Sequence, residues 1–333
     1  MTGRRDIPSL YVLKLLACVL VMLIHAQPFM CEDELQIIVP LTRVGVPIFF
    51  MTSGFFICSK MSACSDRIQT HDRLKIQINK LIRIFILTTL LFLPFELIEG
   101  NSREILDNII SLKRWVYFVV MNVPFWGGHL WYLLSYIYLL FLLSIVIKHE
   151  KLGLVARNLA LGGGILLVSS LLGQYQFLLG LNRLPQTITR NWFFTGIPFF
   201  QLGWMINEKK LYNRYSCKVL LSSIIIFCLL NIAEFNLLGR DGKGDLLIMT
   251  PFLAMSLFLF CLKNPGLGNQ ILWELGKKHT LWLYVFHVMV IKCLLDILMA
   301  YKVNFTGTFL VIFPIVFLLS YCMSAIANKV IKL

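Results

Sequence analysis

Residues 10–25 read LYVLKLLACVLVMLIH, and this stretch decides the class of fold. Such a run is typical of a membrane span, which needs about 20 mostly apolar residues. The rest of the chain is similarly apolar, because 58% of its 333 residues are hydrophobic and only 14% are charged. A soluble fold carries about 25% charged residues. The sequence therefore predicts an all-α, polytopic membrane protein and excludes a soluble fold, a coiled coil and a secreted disulfide scaffold.

Hydropathy predicts about ten transmembrane helices in a single domain that covers residues 1–333, with no soluble domain. The predicted spans are 10–30, 37–58, 79–98, 128–147, 153–172, 191–206, 217–235, 246–262, 280–298 and 306–328. If the N-terminus is cytoplasmic, 21 of the 31 lysines and arginines fall in inner segments and 9 in outer ones. Because basic residues favour the cytoplasmic side, both termini are predicted to be cytoplasmic, in the bacterial cytoplasmic membrane. The net charge of +14 then indicates topology and contact with anionic membrane lipids, not nucleic-acid binding.

Two ionisable residues, Lys14 and His25, interrupt the first span. They are about three helical turns apart, so both side chains point the same way, about 16 Å from each other along the axis. Ionisable groups at membrane depth are costly and mark candidate functional sites. As alternatives, Lys14 could extend to the inner headgroups, and His25 could make a structural hydrogen bond only.

Four basic residues, Arg73, Lys75, Lys80 and Arg83, lie where the third predicted span begins. Lys80 and Arg83 are three positions apart and share one face of a helix. Such residues either anchor the span on the cytoplasmic side or bind the phosphates of a cytoplasmic cosubstrate, because ammonium and guanidinium groups match phosphate oxygens.

Further candidates lie in later spans. His129 and Trp131 are predicted at the outer end of the fourth span and Arg190 at that of the sixth, whereas His287 lies at membrane depth in the ninth. Aromatic residues at an interface are usually belt residues, but a histidine and two glycines beside Trp131 also suit a substrate-binding surface. No Asp or Glu lies near His25, His129 or His287 in the sequence, so no metal site is predicted.

Five sequence patterns, spread over nearly the whole chain, resemble those of the acyltransferase-3 family of integral membrane acyltransferases. Lys14 and His25 occupy the positions of the family's arginine-x10-histidine signature, although lysine removes a bidentate donor. The other four patterns are the basic pair Lys80-x-x-Arg83, RVGVPIFFMTSGFF at 43–56, HLWYL at 129–133 and LWLYVFH at 281–287. Lys14 in place of arginine, together with RVGVP at 43–47 and TRN at 189–191, makes the chain similar to the membrane domain of serine racemases from vancomycin-resistance clusters. This second resemblance implies a domain that moves serine.

The resemblance implies a membrane-bound acyltransferase. It would move an acyl group, most simply acetyl, from cytoplasmic acetyl-CoA or another acyl-CoA to a hydroxyl of an envelope glycan or related acceptor. The implied roles are catalysis by His25 and Lys14, coenzyme binding by Lys80, Arg83, Arg73 and Lys75, and substrate binding by His129, Trp131, Arg190 and His287. His25 suits a general base because imidazole titrates near neutrality. The alternative is a transporter of a small polar metabolite such as serine, with the same histidines as solute ligands.

Overall fold

A computed structural model of the protein describes residues 6–62, 67–98, 102–148, 152–182, 184–238 and 246–331. These residues form helices joined by short connections, and no strand occurs among them. The predicted all-α class is therefore confirmed.

Fifteen α-helices follow one another along the described residues. They are α1 (Pro8–His25), α2 (Glu32–Thr42), α3 (Gly45–Ser62), α4 (Arg67–Ile98), α5 (Ser102–Ile110), α6 (Leu112–Met121), α7 (Trp131–Lys148), α8 (Leu152–Tyr175), α9 (Gln186–Thr189), α10 (Ile197–Glu208), α11 (Cys217–Leu237), α12 (Thr250–Lys263), α13 (Gln270–Lys278), α14 (Thr280–Ala300) and α15 (Phe309–Val330). The chain divides into two compact units, one of residues 1–52 with 209–333 and the other of residues 53–208. The division falls within α3, so the chain passes from one unit to the other along this helix.

Seven segments of the described chain are long and apolar enough to cross a membrane. They are Pro8–His25, Glu32–Ser59, Gln69–Ile98, Gly128–Val146, Cys217–Leu237, Thr280–Ala300 and Phe309–Val330. Two shorter apolar helices, Gly163–Leu179 and Thr250–Lys263, overlap the predicted spans 153–172 and 246–262, and α10 overlaps the predicted span 191–206. The protein is thus a multi-pass membrane protein, whereas the count of ten spans, the cytoplasmic termini and the single-domain organisation stay predictions.

Helix α1 lies at the centre of the first unit, where it packs against α2, α12, α13 and α14. Pro8 occupies its first turn, where a residue without a backbone N–H leaves no helical hydrogen bond unmade. The Ser9 hydroxyl donates to the carbonyl oxygen of Cys261 at 2.6 Å. Gly276 of α13 contacts the α1 backbone directly, because a Cβ atom at this position would lie 2.0 Å from the carbonyl oxygen of Tyr11.

Helix α11 is held in the first unit by polar groups near its C-terminal end. The Glu234 carboxylate accepts hydrogen bonds from the backbone N–H groups of Ile248, at 2.7 Å, and Met249, at 3.0 Å. One turn earlier, the Asn231 side chain accepts a bond from the Thr250 hydroxyl at 3.2 Å. Seven large apolar side chains of α11, Leu229 among them, are exposed, which suits contact with lipid chains.

In the second unit, α4 packs against α7, and α8 packs against α10. The Gln77 amide of α4 donates to the Tyr136 hydroxyl of α7 at 2.8 Å. Gly54 brings α3 against the backbone of α10, since a Cβ atom there would lie 1.9 Å from the carbonyl oxygen of Phe200.

Candidate functional site

His25 is the last residue of α1. The chain turns immediately afterwards, because the backbone N–H of Ala26 bonds back to the carbonyl oxygens of Met22 and Leu23. His25 therefore lies at the carbonyl end of the helix dipole. The His25 side chain is partly exposed.

The imidazole of His25 is in contact with that of His287, which lies in α14. The two ring centroids are 5.2 Å apart, with an angle of 57° between the ring planes. Unlike His25, His287 is completely buried, with 0% of its surface exposed. The two residues belong to the first and ninth predicted spans, and nothing in their sequence surroundings indicates this contact.

The tautomer of His287 follows from its hydrogen bond to its own helix. Its Nδ1 atom lies 3.2 Å from the carbonyl oxygen of Leu283. A carbonyl oxygen accepts and does not donate, so Nδ1 carries the proton. In the neutral ring the other nitrogen, Nε2, then holds a lone pair.

Two aromatic residues that were not predicted as site residues, Tyr284 and Phe49, pack near His287. The Tyr284 ring centroid is 6.1 Å from that of His287, and Phe49 meets Tyr284 edge to face at 6.5 Å. Both are buried. Tyr284 could have been found from its spacing, because three residues before His287 is one turn earlier on the same side of the helix.

Lys14 lies partly buried at a different level of α1, about 16 Å along the axis from His25. One turn after Lys14, the Cys18 thiol donates to the carbonyl oxygen of Thr280 at 3.5 Å, so this level of α1 meets the beginning of α14. The described residues provide Lys14 with no ion pair. Lys14 and His25 therefore share a side of α1 but cannot touch the same reacting atom.

His129, Trp131 and Arg190 lie together in the second unit. The Arg190 guanidinium is 4.9 Å from the centroid of the Trp131 ring, within the range of a cation–π contact. His129 is 4% exposed and packs against Phe92, with ring centroids 4.8 Å apart. Trp131 is only 7% exposed, so the partly exposed Arg190 is the accessible member of this group.

Two buried asparagines hold this part of the second unit, and neither was predicted as a site residue. Asn122 has a left-handed backbone, with φ of 49°, and its amide oxygen accepts from the backbone N–H of Trp192 at 2.8 Å. The Asn191 amide oxygen accepts from the N–H groups of Phe193 and Phe194, at 2.9 and 2.8 Å. Asparagine tolerates left-handed backbone and caps helices well, which is the signal available in the sequence.

The four basic residues predicted to bind a coenzyme all lie on α4, and all are exposed. A helix turns by about 100° per residue, so Arg73, Lys80 and Arg83 fall on one side of α4. Lys75 projects about 140° away from Lys80. These three could therefore contact one polyanionic ligand, and Lys75 lies at the edge of this side, about 80° beyond Arg83.

A separate polar cluster surrounds His279, which precedes α14. Its Nδ1 atom lies 2.9 Å from the Ser324 hydroxyl. Burial, and secondarily the positive charge of Lys278, hold the pKa of His279 below its ordinary value. His279 is two turns from His287 along the chain. In the part of the chain that the structure describes, no three His, Cys, Asp or Glu side chains are grouped in a way that could hold a metal ion.

Comparison with known protein families agrees with the sequence patterns. A family model described as an acyltransferase domain, that of the acyltransferase-3 family, matches residues 7–327. The chain belongs to the acyltransferase-3 family. The match includes the histidine pair, Lys14 and the basic side of α4, and it supports acyl transfer at a membrane as the general activity of the family.

Curated relatives of this acyltransferase-3 protein carry another name. An amino-acid racemase of Enterococcus faecalis is 26% identical over 281 residues, which are 78% of this chain and 37% of that protein. A serine/alanine racemase of Enterococcus gallinarum is 25% identical over 291 residues, 82% of this chain and 39% of that protein. The chain thus spans about two fifths of the length of these relatives. No solved structure matches the chain.

Proposed function

We propose that this protein is a membrane-bound O-acyltransferase, most simply an O-acetyltransferase, with His25 as its general base. The donor would be a cytoplasmic acyl-CoA thioester and the acceptor a hydroxyl group of an envelope glycan. The observation that supports the proposal is the partly exposed imidazole of His25 at a helix C-terminus, in contact with a second, buried imidazole, in a chain of the acyltransferase-3 family.

His25 would move one proton in each turnover. The unprotonated nitrogen of its imidazole takes the proton of the acceptor hydroxyl while the hydroxyl oxygen attacks the thioester carbonyl carbon. The C–S bond then breaks, the new ester leaves, and the imidazolium returns the proton to the departing thiolate. Positioned base catalysis of this kind contributes about 10²- to 10⁴-fold in rate.

The remaining predicted residues would bind and orient the substrates. Lys80, Arg83 and Arg73, on one side of α4, suit the phosphates of a coenzyme, whereas the position of Lys75 makes it the least suited of the four. Lys14 would orient the donor, since an ammonium group with no ion pair in the described chain is available to a ligand. Arg190, held against the Trp131 ring, would contact the acceptor, whereas the buried His129 would support this group from behind.

The names of the relatives favour one alternative function. Both are racemases, one of them of serine and alanine, and a membrane region that moves serine would serve such an enzyme. On this alternative His25 would be a solute ligand, and no acyl group would be transferred.

The two functions are separated by two assays on the same cells. Labelled acetyl-CoA is supplied to inside-out membrane vesicles and label in envelope glycan is counted, and serine uptake is measured in intact cells. We expect wild type to incorporate label, and His25→Ala and His25→Gln to lower incorporation by about 10²- to 10⁴-fold. His279→Gln, the matched control, should retain activity.

Glutamine is the informative substitution, because it keeps a hydrogen-bonding side chain but cannot take up a proton. Wild-type incorporation by His25→Gln would exclude His25 as the base. Serine uptake without any incorporation by wild type would replace the acyltransferase with the transporter.

A further inference from the structure

His25 and His287 differ in their access to a substrate. His287 is 0% exposed, whereas His25 is partly exposed. A substrate atom that approaches the pair therefore meets His25 first, with the His287 ring behind it. This geometry does not suit the direct contact with substrate that the sequence predicts for His287.

The His287 ring is held from its own helix. Nδ1 donates to the carbonyl oxygen of Leu283, one turn earlier in α14, at 3.2 Å. The Tyr284 ring packs beside it at a centroid distance of 6.1 Å. A buried ring with one nitrogen bonded to the backbone has a defined orientation and a defined tautomer.

A fixed tautomer of His287 restricts which tautomer of His25 could bond to it. In neutral His287 the Nε2 atom accepts a hydrogen bond and does not donate one. The two rings are in contact, with centroids 5.2 Å apart, and a His25 ring turned so that one N–H donates to Nε2 would have its second nitrogen unprotonated and directed away from His287. That nitrogen is the one a general base requires.

We infer that His287 is a positioning residue, which fixes the tautomer and orientation of the His25 imidazole through ring contact and does not itself bind the acyl acceptor. The inference rests on the proposed acyltransferase function, in which His25 is the base. It replaces the substrate-binding role predicted for His287 with an indirect one.

Two polar substitutions of His287 distinguish this role from a structural one. Asparagine reaches only as far as Nδ1 and can keep the bond to the Leu283 carbonyl oxygen. Glutamine reaches as far as Nε2 and can accept an N–H from His25. If His287 positions His25, glutamine should restore more activity than asparagine. If His287 serves only to bond the backbone of α14, asparagine should be the better replacement.

The kinetic test uses purified full-length protein in detergent or nanodiscs with acetyl-CoA and an acceptor glycan. We expect His287→Asn to lower kcat by about 10- to 100-fold, which is the usual cost of a misplaced catalytic group. The KM for acetyl-CoA should change less than about twofold, and His287→Gln should be several-fold more active than His287→Asn. His279→Gln, on the matched control histidine, should leave both constants near wild type. A kcat for His287→Asn equal to that of wild type would overturn the inference.

A second measurement does not depend on acyl transfer, so it tests the positioning role of His287 separately from the proposed acyltransferase function. Diethyl pyrocarbonate reacts with unprotonated imidazole nitrogen, and mass spectrometry gives the rate at His25 in each folded variant. We expect the rate at His25 to fall at least threefold in His287→Asn and to be restored in His287→Gln. An unchanged or faster rate would overturn the positioning role of His287. Failure of wild type to transfer acetyl, with this pattern intact, would overturn the proposed function instead.

Discussion

Helices α1 and α11 are equally hydrophobic, and both are long enough to span a membrane. Each carries ionisable residues within or at the end of its apolar segment. They differ in surroundings: 44% of the α1 segment is buried, against 11% of the α11 segment. The Glu234 carboxylate of α11 is bound by two backbone N–H groups, whereas His25 of α1 contacts another titratable ring and stays partly exposed. The partner of an ionisable group, more than its residue type, therefore separates the structural role of Glu234 from the chemical role proposed for His25.

The largest loss of activity is predicted for a substitution of Lys14, on the more buried of the two helices. Lys14→Met removes the charge from the packed side of α1 and should lower acetyl incorporation by about 100-fold, the cost of a misplaced donor. Lys14→Arg should keep activity, because arginine is the residue of the family signature. Lys218→Met, which removes an exposed lysine at the beginning of α11, is the control and should behave as wild type. Equal activity of all three variants would assign Lys14 to contact with headgroups.

A smaller effect, on acetyl-CoA binding, is expected from substitutions on α4, where the basic side chains are exposed to solvent. Arg83→Ala should weaken acetyl-CoA binding by about tenfold, the lower end for a charged hydrogen bond because the side chain is exposed. Arg214→Ala, an exposed arginine of the first unit, should change binding little. Isothermal titration with purified protein measures both, and equal small effects would leave Arg83 as a topological anchor.

Glu234 should affect stability and leave catalysis intact. Glu234→Ala removes the acceptor of two backbone hydrogen bonds and should cost about 1–2 kcal/mol, since the side chain is only partly buried. The activity per folded molecule should not change. Glu274→Ala removes an exposed carboxylate paired with Lys278 and should lower the thermal midpoint less. A Glu234 variant of normal stability and reduced activity would contradict the structural role.

The smallest effect is expected on the open face of α11. Leu229 is 62% exposed, so Leu229→Ala should change the thermal midpoint in detergent hardly at all, within about 0.5 kcal/mol. Leu13→Ala, on the buried side of α1, should cost about 2–5 kcal/mol. Equal losses of stability from Leu229→Ala and Leu13→Ala would show that another molecule covers α11 in the purified protein.

The features that could be predicted from the sequence are those set by residues close together in the chain. The all-α class, the apolar helices and the common side of Lys14 and His25 all follow from hydropathy and the helical period, and so does the pairing of Lys80 with Arg83. The contact between His25 and His287 could not be predicted, because it depends on how α1 packs against α14 and not on any local pattern. For the same reason the burial that separates these two histidines became evident only from the fold.

The contacts that hold α1 have a consequence for the biogenesis of the protein. Ser9 bonds to Cys261 and Cys18 to Thr280, so the partners of the first helix lie more than 250 positions later in the chain. At ribosomal speeds of about 5–20 residues per second, roughly 10–50 s separate the synthesis of α1 from that of its partners. Throughout this interval the membrane must accommodate Lys14 and His25 without α12, α13 or α14 beside them. The nascent chain therefore presents an apolar first helix that carries two ionisable residues to the insertion machinery and to quality-control proteases. Chains truncated before α14 should be prime targets of degradation.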